Sequence, residues 1–283
     1  MPVSDECTSV EKVREMFLAI YENNEELFDE RDVNKVKTDE WTVLRFLKDK
    51  QNSEKQALDA LVEAMKWRKS FGVNDIKETD FPQEFWEMGE AHIYERDKNG
   101  VLPCYIRVKY HKQFGEIMEI SKKFVVFLIE EMDRETGGKN WGVIWDCDKG
   151  TIFNVDLDLL LFIVPTVFKY YPGGQSYFLI HELPFVMWSI YQIARAFIPE
   201  HYRSIIHFSC RKDIADFIGK QSLPDYLGGE CSKPYRGPID DAIMFAEWAR
   251  INNVKESFPK KFFAHYQPIL DEAREQFRCE DYD

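Results

Sequence analysis

Three groupings in the chain bring together side chains able to do chemistry. The stretch WDCDKG sets Asp146 and Asp148 at the end of a strand-like run, where α/β proteins often place functional groups. Two carboxylates there either serve as general acid and base or cap a turn and pack. Cys147 and Cys210, with His181 and His207, offer a nucleophile and a base; the other reading is buried core thiols and satisfied core imidazoles. KYYPGGQS carries paired glycines, but it precedes a strand instead of opening a helix, so a plain turn fits it and a phosphate cradle does not. The sequence holds no GxGxxG after a strand, no Walker loop, no HExxH and no GxSxG. Its 6 cysteines (Cys7, Cys104, Cys147, Cys210, Cys231 and Cys279) have no CxxC and no metal-ligand spacing. No residue announces catalysis, no metal or cofactor is implied, and reduced thiols are the expected state.

The strongest signal is apolar. The stretch LPFVMWSIYQIARAFIP, residues 183–199, reads as a helix, with Pro184 tolerated in a first turn and Pro199 stopping it. Ser189, Gln192 and Arg195 make one narrow polar stripe, while Phe185, Met187, Trp188, Tyr191 and Ala194 share the rest of the circumference with five other apolar residues. An ordinary amphipathic helix shows one apolar face of roughly 100° or a little more; a helix apolar nearly all round is buried or faces lipid. Two readings stand: a core helix packed on both sides, or a movable lid with one face on the protein and the other on a hydrophobic ligand or a membrane.

The elements around these residues follow from periodicity. Val10, Val13, Phe17 and Ile20 recur at helical spacing, and Thr38 is placed to cap a helix containing EWTVLRFLKDK. SEKQALDALVEAMKWRKSFG opens with Ser53 and Gln56 in capping-box spacing and stops at Gly72. Its Leu58, Leu61, Val62 and Met65 stripe needs a partner, so residues 1–80 are expected to form a small helical bundle. The turn DKNG then joins AHIYER to LPCYIRVKYH as a hairpin. Helical SKKFVVFLIEEMDRE and LDLLLFIVPTVFKYY alternate with strand-like WGVIWDCD, SYFLIHE and SIIHFS. Such short, continuous apolar strands fit a sheet covered on both faces, and the alternation calls for crossovers and a largely parallel sheet. A short helix in RKDIADFIGK, the turn-rich LPDYLGGE and two helices split near Pro259 complete the chain.

Composition narrows the classes of partner. A net charge of −13 lacks the basic footprint of a general nucleic-acid binder. The opening MPVSDECTSVEKV has no apolar core of a signal peptide, and no uninterrupted apolar run of about 18 residues suggests a membrane span. The expectation is a soluble, cytoplasmic monomer.

The order of VIWDCDKG, VFKYYPGG, SYFLIHELPFVMWSIYQIARAFIPEHYRSIIHF and SLPDYLGGE resembles the CRAL-TRIO lipid-binding domain of the phosphatidylinositol-transfer-protein superfamily. In that family an aspartate ends a strand, a tyrosine–proline pair precedes the next, and LPxxxGG closes the domain; Leu223, Pro224, Gly228 and Gly229 reproduce the last. LRFLKDK and MKWRKSF resemble the helical region that accompanies it, and RVKYH, DLDLLLF and FKYYP look most like the CRAL-TRIO part of motile sperm domain-containing proteins. The resemblance implies an α/β fold: a helical N-terminal bundle (1–80), a mixed, mainly parallel sheet with flanking helices (81–236) and a C-terminal helical extension (237–283). It further implies a mobile lid helix, 185–198, over an apolar pocket. The lid residues it implies as lipid-binding are Phe185, Met187, Trp188, Tyr191 and Ala194, with Val143 and Trp145 on the pocket floor.

Carried over residue by residue, the basic headgroup position falls at Lys50, a candidate phosphate holder. The family's acidic position falls at Gly173, its threonine and lysine beyond the lid at Tyr202 and Ile205, and the hydroxyl pair that contacts choline lipids near Trp141 and Val143. Most of that headgroup chemistry is therefore replaced. The resemblance implies non-catalytic binding and intermembrane transfer of a hydrophobic ligand or phospholipid, by something other than a standard phosphatidylinositol or phosphatidylcholine exchanger. The partners are the lipid and a transient membrane surface such as the endoplasmic reticulum. The alternative is an interaction scaffold whose pocket is collapsed and filled by aromatic side chains. A two-chain lipid with roughly thirty methylenes would lose on the order of 20 kcal/mol on entering water, so a carrier must cover nearly all of it.

Overall fold

The structure, a computed structural model, describes residues 5–280; the side chains of 5–7 and 277–280 lie outside the described ones, Cys7 and Cys279 among them, as do residues 1–4. Four helices form the N-terminal bundle: α1 (Asp5–Tyr21), α2 (Glu30–Thr38), α3 (Glu40–Asp49) and α4 (Glu54–Phe71). Their shared core takes Val13 and Phe17 from α1, Val33 and Val36 from α2, Phe46 from α3 and Leu61 from α4. The cap of α3 is Asp39 and not Thr38: the Asp39 carboxylate accepts from the Thr42 N–H at 2.8 Å, while Thr38 ends α2 and bonds back to the Asn34 carbonyl. A carboxylate adds charge to the cap hydrogen bond and complements the helix dipole, so the neighbouring residue wins the position. Ser53 caps α4 by position without a side-chain hydrogen bond, and Gly72 ends it in the left-handed conformation.

After α5 (Gln83–Met88) come β1 (Ala91–Ile93), β2 (Leu102–Arg107), α6 (Met118–Thr136), β3 (Trp141–Asp146), α7 (Leu157–Pro165) and β4 (Gln175–His181). The chain continues through α8 (Trp188–Ala196), β5 (Ile206–Ser209), α9 (Ile214–Ile218), α10 (Phe245–Ile251) and α11 (Phe258–Glu280). One five-stranded sheet runs in the order β1-β2-β3-β4-β5. β1 is antiparallel to β2, as the hairpin reading required, and every other pair is parallel, each joined by a helical crossover. Because side chains alternate across a strand, the sheet has two apolar faces. Tyr105, Ile144, Tyr177 and Leu179 face α9 and Leu223 in one cluster. Cys104, Ile106, Val143, Trp145 and Phe178 belong to the larger cluster on the other face, with α6, α7 and the C-terminal helices.

Those C-terminal helices contribute Phe245, Phe258, Phe262, Tyr266 and Leu270 to that core, each at most 1 % exposed. The closing LPDYLGGE turn needs both glycines: Gly228 has φ +83°, and a Cβ on Gly229 would stand 1.7 Å from the Leu223 carbonyl oxygen. Among the described residues, no helix is long and apolar enough to cross a membrane.

Candidate functional site

Between the sheet and α8 lies an apolar chamber with a cavity volume of about 210 Å³, smaller than the usual ligand pocket of about 300–1,000 Å³. Its floor is the alternating face of the strands: Ile106, Trp145, Phe178, Ile180 and Ile206. One wall comes from Phe124 of α6 and from Leu159 and Ile163 of α7. Past Pro165, which lacks the N–H needed to continue an α-helix, the chain makes a π-helical turn over Thr166–Tyr170, and Val167 and Phe168 from that turn also line the space. The roof is Met187, Ile190, Tyr191, Ala194 and Ile198.

The sequence-derived residues are distributed unevenly around this space. Met187, Tyr191, Ala194 and Trp145 line it. Val143 is buried in the adjoining core and is not a lining residue. Phe185 is 93 % exposed and Trp188 46 % exposed, both on the outer side of the roof with Val186, Ile193 and Phe197. Trp188 and Tyr191 pack on the exposed Phe208 of β5, with ring centroids 5.7 and 5.1 Å away. The segment 185–198 is thus neither a core helix nor an ordinary amphipathic one: it opens with a 3-10 turn at Phe185–Met187 and carries one apolar face inward and another outward. Helical periodicity reports that a residue is apolar and not which medium it meets.

Lys50 stands outside the chamber, at the end of α3, with its ammonium 2.8 Å from the Asp49 carboxylate. Asp49 also accepts from Tyr202 Oη at 2.8 Å and lies 2.9 Å from His201 Nε2, and the Tyr202 hydroxyl in turn accepts from the Gly173 N–H at 3.0 Å. The fold therefore gathers Lys50, Gly173 and Tyr202, which lie far apart in sequence, around a carboxylate. Burial works against the charge of Asp49, but the surrounding donors hold its carboxyl below the usual range.

A polar cluster on the chamber wall had no signal in the sequence. His111 follows β2, Glu90 precedes β1, and Asp156 caps α7 by accepting from the Leu159 N–H. His111 Nδ1 lies 2.6 Å from Glu90 Oε1, and His111 Nε2 lies 3.5 Å from Asp156 Oδ2 without a hydrogen bond. Asn154 fixes the loop by donating to the carbonyls of Lys109 and His111. Burial opposes the charge on His111, yet the carboxylates of Glu90 and Asp156 hold its pKa up at about 10.

The groups that suggested catalysis are held apart. The Cys147 thiol, pushed up to about 12 by burial, bonds to the Trp145 carbonyl, and Cys210 bonds to Asp213. Asp148 pairs with Arg211, and His207 packs on Phe217. Asp146, 2 % exposed, sits in register with Arg107 and His181 on the sheet face away from the chamber, and His181 bonds to Ser209 at 3.0 Å. Burial raises the Asp146 carboxyl above its usual range.

The family described as "CRAL/TRIO domain" matches residues 87–229, half of the chain. "Protein real-time" of Drosophila pseudoobscura pseudoobscura is 28% identical over 216 residues, covering 67% of this chain and 32% of that protein. A phosphatidylinositol transfer protein of Eremothecium gossypii is 25% identical over 153 residues, covering 51% of this chain and 34% of that protein. The chain thus spans about a third of the length of these two relatives. Among solved structures, that of Sfh5 superposes with a TM-score of 0.62 at 14% identity, over 89% of this chain and 97% of that one.

Proposed function

This chain belongs to the CRAL/TRIO domain family, a lipid-binding and lipid-transfer fold, and on that premise we propose that it binds a hydrophobic ligand or lipid in the chamber beneath α8 and exchanges it at a membrane surface, without catalysis. The observation that carries the reading is the chamber itself, with Met187, Tyr191 and Ala194 on its roof and Trp145 on its floor. The segment 185–198 is the mobile lid. Its outer face, with Phe185, Val186, Trp188 and Phe197 exposed, is the part that meets the bilayer, where tryptophan is favoured at the interface. The protein works in the cytoplasm as a monomer and touches membranes such as the endoplasmic reticulum only peripherally.

The ligand is held differently from the headgroup of a standard phosphatidylinositol or phosphatidylcholine exchanger. At the position that corresponds to the family's basic residue, the Lys50 ammonium is engaged by Asp49, and a phosphate there would face that carboxylate. A phosphate in a partly closed site needs charge-assisted donors, and this network offers it a competing anion.

Native mass spectrometry of the freshly purified chain, followed by organic extraction, tests the reading. A stoichiometric co-purifying lipid is the expected result. A clean apo mass, with no lipid captured from mixed vesicles, would instead make this an interaction scaffold.

A further inference from the structure

One edge of the sheet lies open along a groove outside the chamber. β1 is an outer strand and pairs only with β2. Tyr94 donates its N–H to the Pro103 carbonyl, and Arg107 donates its own to the Glu90 carbonyl. Glu90 and Tyr94, with His92 between them, therefore turn their main chain toward β2. In an antiparallel ladder the alternate residues turn theirs away, so the N–H and C=O of Ala91 and Ile93 point outward. Among the described residues, no backbone group beyond the strand bonds to either.

The groove along this edge has a wall on each side. Phe127, Leu128 and Glu131 of α6 form one, over the sheet face that carries Ala91 and Ile93. The segment 233–239 forms the other, with Tyr235 packed on His92 at a ring-centroid distance of 4.8 Å. The charge of the groove departs from that of the chain: its lining holds 5 Lys or Arg and 4 Glu, whereas the chain has 37 Lys and Arg against 50 Asp and Glu. The segment 233–239 itself brings Lys233 and Arg236 and no carboxylate. Lys233 Nζ lies 2.7 Å from Glu95 in an exposed pair, the kind that holds its partners weakly. Free N–H and C=O groups at strand spacing are matched by another extended main chain, a series that a lipid does not possess. With only three residues in β1, the walls of the groove must supply the selectivity.

We propose that an extended acidic peptide segment of a partner protein adds to the sheet beside β1. Its backbone pairs with Ala91 and Ile93, its apolar side chains lie against Phe127 and Leu128, and a carboxylate on the alternate side meets Lys233. This surface is separate from the chamber and stands whether or not the chamber holds a ligand.

A phage-displayed library of short random peptides, panned on the native chain, is the probe. The selected peptides are expected to alternate apolar and acidic residues. A synthetic one is expected to slow amide hydrogen exchange at Ala91 and Ile93. N-methylation of the amides that pair with β1 is expected to weaken it about tenfold, the worth of a main-chain hydrogen bond whose acceptor is left unmatched. Lys233→Glu, at an exposed position, is expected to weaken it by a similar factor and to strengthen a version of the peptide with lysine in place of glutamate. Ile93→Pro, which removes one outward N–H, is expected to abolish binding; should that variant fail to fold, Lys233→Glu and the N-methylated peptide still decide the matter. A panning that yields no peptide protecting Ala91 and Ile93 would overturn the proposal. So would a peptide indifferent to both N-methylation and Lys233→Glu. A native chain that sediments as a dimer and protects the same two amides would assign the edge to a second copy of the chain, and the proposal would fall.

Discussion

At the scale of single residues, His111 gives the clearest consequence. Its pKa is held at about 10 in the folded chain and returns to the ordinary value of about 6.5 on unfolding. The folded state therefore binds the extra proton between those values, and stability falls as pH rises from about 6.5 to about 10. Urea unfolding at several pH values across that window, on the native chain and His111→Gln, is expected to show a declining limb that the variant flattens. His92 has the opposite sign. Burial is the main cause of its pKa being lowered to about 3, with the charge of Arg107 acting the same way. Its unfolded form takes up a proton that the folded form refuses, so this residue removes stability as pH falls from about 6.5 to about 3. His92→Phe is expected to lessen acid sensitivity over that range in the same measurement, and an unchanged acid limb would mean that other groups dominate it.

At the scale of elements, the segment 185–198 carries two apolar faces in different surroundings, one lining the chamber and one exposed. Phe185 and Val186 lie on the outer face, 93 % and 62 % exposed, and contribute little burial. Replacing both with serine is expected to leave the melting temperature within a few degrees, as for surface substitutions worth less than about 0.5 kcal/mol each. Sedimentation with vesicles should fall at least tenfold, because inserting one large apolar side chain is worth about 1.5–3 kcal/mol. Unchanged sedimentation would remove the outer face from the membrane contact. Ala194 is the complementary position, on the roof and 8 % exposed. Ala194→Phe fills part of the chamber, and on the proposed reading retention of extracted lipid is expected to drop while vesicle binding persists.

At the scale of the whole molecule, the helical bundle is tied to α6, which flanks the sheet, by two arginines that reach its carboxylates. Arg68 of α4 is 6 % exposed; it bonds Asp32 of α2 at 2.8 Å and Glu130 of α6 at 2.6 Å. Arg45 of α3 joins Asp133 of α6 and the Pro172 carbonyl, and Trp67 stacks on Tyr170 at 4.1 Å. Arg68→Leu leaves Asp32 and Glu130 buried without their cation, and breaking such a group by removing one partner costs about 3–5 kcal/mol. Urea unfolding is expected to report a loss of that size in one cooperative transition; a loss below about 1 kcal/mol would show that the pairing does not hold the two parts together.

Much of this architecture was legible in the amino-acid order. Alternation in LPCYIRVKYH, continuous apolar runs such as SYFLIHE, and the stops at Gly72 and near Pro259 are local signals. Backbone geometry turns them into a hairpin, parallel strands and helix ends. The apolar circumference of 185–198 was equally visible. Its division into a roof with Met187, Tyr191 and Ala194 and an outer face with Phe185 and Trp188 was not, because that depends on how α8 is rotated over the sheet. The same holds for Glu90, His111 and Asp156, which come from three separate connections and share no spacing rule. Only the crossing of β1, β2 and α7 brings them to one wall, where burial and proximity give each a chemistry it lacks alone. Sequence determined the elements and their apolar faces; tertiary structure decided which faces enclose the chamber and which charges meet inside it, because those contacts follow from packing and not from order along the chain.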